Sequence, residues 1–184
     1  MTLPEITFAN VLDYIGTLAF AISGIRLAST KNFDWFGAYV VGLATAIGGG
    51  TVRDLMLDVP VFWMRNGIYF LITLLALLLV VLFGKVVVRQ KYTWFIFDTI
   101  GLGMFAVIGI EKTLGVGFPF WVAIVMGSVT GAGGGVIRDV FLNEVPLIFR
   151  AEIYAVACVL GGLAYWACSL CGWGNVPCGL VCGS

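Results

Sequence analysis

Long apolar stretches alternate with short charged or proline-bearing breaks along the whole chain. The stretches run from about Phe8 to Leu27, Trp35 to Leu57, Gly67 to Val88, Thr93 to Ile110, Pro119 to Leu142 and Ala151 to Leu170. The breaks carry Lys31-Asn32, Asp58-Val59-Pro60, Arg89-Gln90-Lys91, Glu111-Lys112 and Asn143-Glu144-Val145-Pro146. Each stretch is near the roughly 20 residues that an α-helix needs to cross a bilayer core. Each also ends on charge or proline, as spanning helices do. The run Leu71 to Val81 lacks the apolar–polar alternation of a membrane β-barrel strand. The pattern predicts an all-α integral membrane protein with six spans.

Composition agrees. Of 184 residues, 61% are hydrophobic and 11% charged, with mean hydropathy +1.07, against about 45–50% and about 25% for a soluble domain. Six spans leave little else, so residues 1–184 read as one membrane domain without a soluble catalytic module. Ten basic and ten acidic residues balance, which argues against a nucleic-acid partner. The absence of histidine excludes His-based triads and His-containing metal sites. The reading is a non-enzyme with no cofactor and no metal site. Met1 to Asn10 has no basic n-region or small-residue cleavage site, so the first span is expected to be an uncleaved anchor. Cys158, Cys168, Cys171, Cys178 and Cys182 all come late. They read as small apolar residues in an irregular tail, with a thiolate metal site or a disulfide as the alternative.

Loop charges predict orientation. Arg26, Lys31, Lys85, Arg89, Lys91 and Arg150 fall on the side of the first, third and fifth connections, and only Arg65 and Lys112 on the other. The positive-inside rule then puts the N-terminus outside.

The chain also repeats itself at an offset of 85 residues. Asp13, Gly16, Phe20-Ala21 and Gly24-Ile25 match Asp98, Gly101, Phe105-Ala106 and Gly109-Ile110. Gly42, Thr45, Gly48-Gly49-Gly50 and Arg53-Asp54 match Gly127, Thr130, Gly133-Gly134-Gly135 and Arg138-Asp139. Arg65 and Tyr69 match Arg150 and Tyr154, and pairing Pro60 with Pro146 requires one slip. Repeat 1 covers about 8–90 and repeat 2 about 93–170. Each holds three spans, an odd number, so the second copy is expected to be inverted across the membrane, the architecture of transporters and channels.

The doubled Gly-Gly-Gly-x-x-Arg-Asp is the strongest chemical feature. Each helical glycine costs roughly 1 kcal/mol relative to alanine, and both triplets sit mid-span, so the second and fifth spans are expected to break or kink there. Carbonyls freed by such a break are tolerated only against protein or water. Arg53 and Arg138 lie about a turn beyond the triplets, deep enough to need a partner or water. Asp54 and Asp139 are the candidate partners, expected across the repeat interface because neighbours on a helix diverge. These residues either pin the repeats together or line a polar pathway. Asp13 and Asp98 open their spans, where a carboxylate complements the helix dipole or lines the pathway. Glu111 and Lys112 end the fourth span as an interfacial pair. Neither triplet continues into a nucleotide-binding motif.

With that doubled motif, residues 8 to 170 resemble a prokaryotic member of the trimeric intracellular cation channel (TRIC) family, whose domain also goes under a glycine-transporter-like description. The resemblance implies a homotrimer of protomers, each with two inverted three-helix repeats, a seventh helix and its own pore. The kinked second and fifth helices would build that pore, with Gly48, Gly49, Gly50, Gly133, Gly134 and Gly135 at the kinks. Arg53, Asp54, Arg138 and Asp139 would be the pore-associated charges. It further implies conduction of potassium, with sodium also permeant, in a prokaryotic inner membrane, and contact with membrane lipids. One departure stands out: Cys171 to Ser184 is too short and too broken by Gly, Asn and Pro to form the seventh helix, so that helix is expected to be absent or truncated.

Three functions fit this reading. The first is a potassium-permeable channel, with the arginines neutralised by aspartate or acting as a voltage-moved gate. The second is a secondary transporter of a small zwitterion such as glycine. The third is a tightly packed membrane scaffold.

Overall fold

The structure, a computed structural model, describes residues 8–83 and 93–150. Among these residues all regular structure is helical: α1 (Phe8–Thr30), α2 (Trp35–Met56), α3 (Phe62–Arg65), α4 (Ile68–Leu82), α5 (Thr93–Gly115), α6 (Phe120–Phe141) and α7 (Leu147–Arg150). Helices thus occupy the described parts of the first five predicted spans. The sixth, the cysteines, the tail, Tyr154, and Lys85, Arg89 and Lys91 lie outside the described residues. The segments Asn10–Thr30, Trp35–Met56 and Phe120–Phe141 are long and apolar enough to cross a membrane by length and composition.

Several expectations need correction. Of the expected break or kink the break is absent: helices α2 and α6 run continuously through both glycine triplets, so their carbonyls stay in the helical ladder. α5 continues past Glu111-Lys112 to Gly115. Arg26 is not a loop charge, because it lies inside α1 and is buried. Removing Arg26 from one side of the loop count and Lys112 from the other leaves the direction of the imbalance unchanged. The short helices α3 and α7 were not foreseen.

The 85-residue offset recurs in geometry. The non-glycine residues with left-handed backbone are Asn32 (φ 59°), Asp58 (φ 53°) and Asn143 (φ 53°), and Gly117 adopts φ 96°. They form two offset pairs, Asn32 with Gly117 and Asp58 with Asn143. Each ends a helix at a turn where Gly, Asn and Asp are the tolerated types. Phe62 N donates to Asp54 Oδ2 at 3.0 Å, and Leu147 N to Asp139 Oδ2 at 3.0 Å. The register therefore holds through both corners, and Pro60 and Pro146 are not equivalents that require a slip.

Within each repeat the first two helices meet at small residues. A Cβ on Gly24 would stand 2.5 Å from Thr45 Oγ1, and one on Gly109 2.6 Å from Thr130 Oγ1. Between repeats the contacts are reciprocal. A Cβ on Gly49 would collide with the Thr130 carbonyl, and one on Gly134 with the Thr45 carbonyl. Numbers rise along α2 as they fall along α6, so the two helices cross antiparallel. α1 and α5 repeat this relation, with Phe20 over Gly101, Phe105 over Gly16, and the two rings stacked 5.2 Å apart at 24°. The same patch meets its own copy, as in an isologous interface. Close approach at small residues is how helices associate where lipid removes the hydrophobic incentive.

Because the atom facing Gly49 is backbone, it cannot yield. Gly49→Ala is expected to destabilise the protein by about 1–3 kcal/mol through overpacking. Gly103→Ala, with nothing within 4 Å of the new methyl, is expected to be neutral or stabilising by up to about 1 kcal/mol. Thermal melts of purified protein in detergent check both, and equal effects would refute the crossing.

Candidate functional site

Two arginine–aspartate clusters sit at opposite ends of the α2–α6 crossing, each on the last turns of one of those helices. Arg53 and Asp54 are buried in α2, Arg138 and Asp139 in α6. Each arginine bonds its own sequence neighbour: Arg53 Nε donates to Asp54 Oδ1 at 2.8 Å and Arg138 Nε to Asp139 Oδ1 at 2.8 Å. This differs from the expected pairing across the repeats. The reason lies in the corner after each helix, where a backbone N–H takes the second carboxylate oxygen and turns the aspartate toward the arginine. A carboxylate satisfied on both oxygens is a stable counter-ion for a guanidinium out of water.

The cluster at the α6 end is sealed. Arg138 Nη1 donates to Asp98 and, at 2.8 Å, to Ser23 Oγ of the other repeat. Arg138 and Asp98 are both 0% exposed. Asp98 lies in the second turn of α5, whose first turn is free of acidic residues, and it is occupied by an arginine, not by a helix dipole. On the surface above, Lys31 pairs with Glu144, joining the α1–α2 turn to the corner after α6.

The cluster at the α2 end is more open and differently completed. Lys112 Nζ, from the other repeat, donates to Asp54 Oδ1 at 2.8 Å while its side chain stays 32% exposed. Lys112, expected with Glu111 at the interface, thus bridges the two repeats, and Glu111 is half-buried. Asp13, the offset partner of Asp98, accepts the Tyr69 hydroxyl and lies within electrostatic reach of Arg53, Lys112 and Asp54. The Arg53 guanidinium stands over the Phe62 ring at 5.9 Å, and that ring meets Tyr69 edge-on at 4.6 Å. Arg53 Nη1 is buried without a hydrogen-bond partner among the described residues.

The structure thus gathers Arg53, Asp54, Lys112 and Asp13 at one end and Arg138, Asp139 and Asp98 at the other. Between them lies the seam where Gly49, Gly133 and Gly134 meet the facing helix. Gly48 instead meets Ile137, and Gly50 meets Phe62. Sequence reasoning did not single out Ser23 or Tyr69. Tyr69 had a signal in its match to Tyr154. Ser23 had none, because its offset position is Ile108.

Comparisons with known proteins agree with this geometry. A family model described as "Glycine transporter" matches twice, over residues 10–85 and 95–169, one match per repeat. An inner membrane protein of Escherichia coli K12, UPF0126 YadS, is 42% identical over 160 residues, covering 84% of this chain and 75% of its own length. The UPF0126 membrane protein YvgT of Bacillus subtilis is 42% identical over 157 residues, 84% of this chain and 77% of its own. Among solved structures, the TRIC trimeric intracellular cation channel orthologue from Rhodobacter sphaeroides superposes with TM-score 0.85 at 35% identity, covering 94% of this chain and 90% of that one. A prokaryotic TRIC channel in 0.5 M KCl superposes with TM-score 0.82 at 32% identity, over 88% and 83% of the two chains. The resemblance read from the doubled motif therefore holds in three dimensions, and the chain belongs to the membrane-protein family described as glycine transporter.

Proposed function

We propose that the protein is a monovalent cation channel, permeable to potassium and also to sodium, with one pore in each protomer of a homotrimer. It would sit in a prokaryotic inner membrane with its N-terminus outside and its second repeat inverted. The observation that carries this reading is a linear arrangement: charged cluster, side-chain-free helix crossing, charged cluster. It occurs in a backbone that superposes on TRIC channels with TM-score 0.85.

Conduction needs no covalent chemistry. A cation must find a polar path between α2 and α6 and must not meet uncompensated positive charge. The aspartate beside each arginine meets the second requirement. For the first, the seam as it stands is closed, because it has no room even for a methyl group. A pore therefore needs α2 and α6 to separate, and at Gly49, Gly133 and Gly134 the seam can part without withdrawing side chains of the two helices from each other. Glycine's role at the triplets is thus close approach and reversible separation, in place of the expected helix break. Exposed apolar residues on α4, such as Leu71, Leu75 and Leu82, suit contact with lipid or a neighbouring protomer.

Arg138 is a weak candidate for a moving gate, being fully buried and held by Asp98, Asp139 and Ser23. It acts as a brace. Arg138→Gln leaves Asp98 buried without its cation and is expected to destabilise the protein by about 3–5 kcal/mol, measured by thermal melting. In surviving channels the voltage dependence of open probability should be unchanged, and a changed slope would make Arg138 a gating charge.

A second reading, transport of a zwitterion such as glycine, is favoured by the family's description and by one local fact. At the α2 end, arginine and lysine donors for a carboxylate stand beside aspartates that can receive an ammonium. Purified protein in a planar bilayer under a potassium gradient separates the two. Discrete current steps that reverse near the potassium potential and ignore added glycine are expected. Silence there, with saturable glycine uptake into vesicles, would establish the transporter.

A further inference from the structure

The two clusters are built from matching residues, yet one pair is made and its counterpart is not. In repeat 2 the carboxylate of Asp98 sits on Arg138 Nη1. The offset equivalents are Asp13 and Arg53, and here Asp13 accepts the Tyr69 hydroxyl while Arg53 Nη1 has no partner among the described residues. Arg53 is 3% exposed, so its unused donor is held out of water, which carries a standing penalty. The molecule thus displays two states of one motif: aspartate on arginine at the sealed end, aspartate on tyrosine at the end where Lys112 and Asp13 reach the surface.

We infer that Asp13 is a two-position latch: on Tyr69 it leaves the α2 end of the pathway open, and on Arg53 it closes that end as Asp98 closes the other. This rests on the channel reading for its consequence. The differences between the ends explain why one pair is fixed and the other can switch. Ser23 supplies a hydroxyl to Arg138, whereas its offset position near Arg53 is Ile108, which offers none. Lys112 already neutralises part of Asp54, whereas its offset position is Leu27. Ser23 also donates to Asp98 at 3.4 Å, and Lys112 lies within electrostatic reach of Asp13. Asp13 is therefore less tied to Arg53 than Asp98 is to Arg138. Tyr69 competes with a single hydrogen bond from a ring fixed edge-on against Phe62 and Tyr14. The competition is between interactions of similar size, the condition for a bistable element.

The test compares wild type, Tyr69→Phe, Asp13→Asn and the double variant in planar bilayers. Tyr69→Phe keeps the ring packing and removes only the competing hydroxyl. It is expected to lower the open-to-closed ratio by about tenfold, the scale of one hydrogen bond, with unitary conductance unchanged. In the Asp13→Asn background the Tyr69→Phe change should have no effect, because no carboxylate remains to compete for. An unaltered ratio in Tyr69→Phe, or the same drop with Asp13→Asn present, overturns the latch. Infrared difference spectra of each protein against its Asp13→Asn form isolate the Asp13 carboxylate band whether or not current flows. A band shifted by Tyr69→Phe toward a guanidinium-paired position supports the latch, and an unshifted band refutes it. Absent wild-type current alongside a shifted band would refute the channel reading alone.

Discussion

Arg53 and Arg138 lie buried near the ends of α2 and α6, and the structure around them follows from the need to neutralise each without water. An aspartate one position later is badly placed on an ideal helix, since adjacent side chains diverge. The chain solves this by stopping the helix within a turn and folding back. The left-handed residue at Asp58 or Asn143 reverses the backbone. The N–H of Phe62 or Leu147 then holds the outer carboxylate oxygen and leaves the inner one for the guanidinium. Arginine, aspartate, left-handed turn and short helix form one unit, used twice.

Neutralised ends allow a bare middle. Once α2 and α6 carry their polar groups at their termini, the crossing between them can be made of glycine and threonine backbone alone. The antiparallel contacts there, and the Phe20–Phe105 stack beside it, join the repeats through surfaces that are copies of each other. The side chains that differ between the ends of the seam therefore stand out against a matched framework.

Much of this was legible in the sequence. The positions of the long described helices came from hydropathy, because lipid favours helices that are long and apolar. The repeat came from identities at fixed offset, and the site from glycine and arginine where both are costly. What misled was local helix physics applied alone. Glycine triplets read as breaks or kinks, yet α2 and α6 stay helical, with Gly49, Gly133 and Gly134 pressed against the backbone of the facing helix. Asp98 read either as a dipole partner or as a pathway group, and it makes a tertiary contact with Arg138. The proline match at Pro60 and Pro146 hid a register that the backbone hydrogen bonds keep. Tertiary partners such as Ser23 and Lys112 break the repeat, so a search built on identity passes over the first and reads the second as an ordinary loop charge.

Those breaks in the repeat carry the directionality of the molecule. A perfect duplicate would give the seam two identical ends. Four positions remove the equivalence: Ser23 against Ile108, Lys112 against Leu27, Lys31 against Val116, and Glu144 against Val59. The hydroxyl and the Lys31–Glu144 bridge both reinforce the α6 end, while Lys112 brings an exposed charge to the α2 end. A shared framework thus sets the geometry of the seam, and a few unshared polar groups distinguish its two ends.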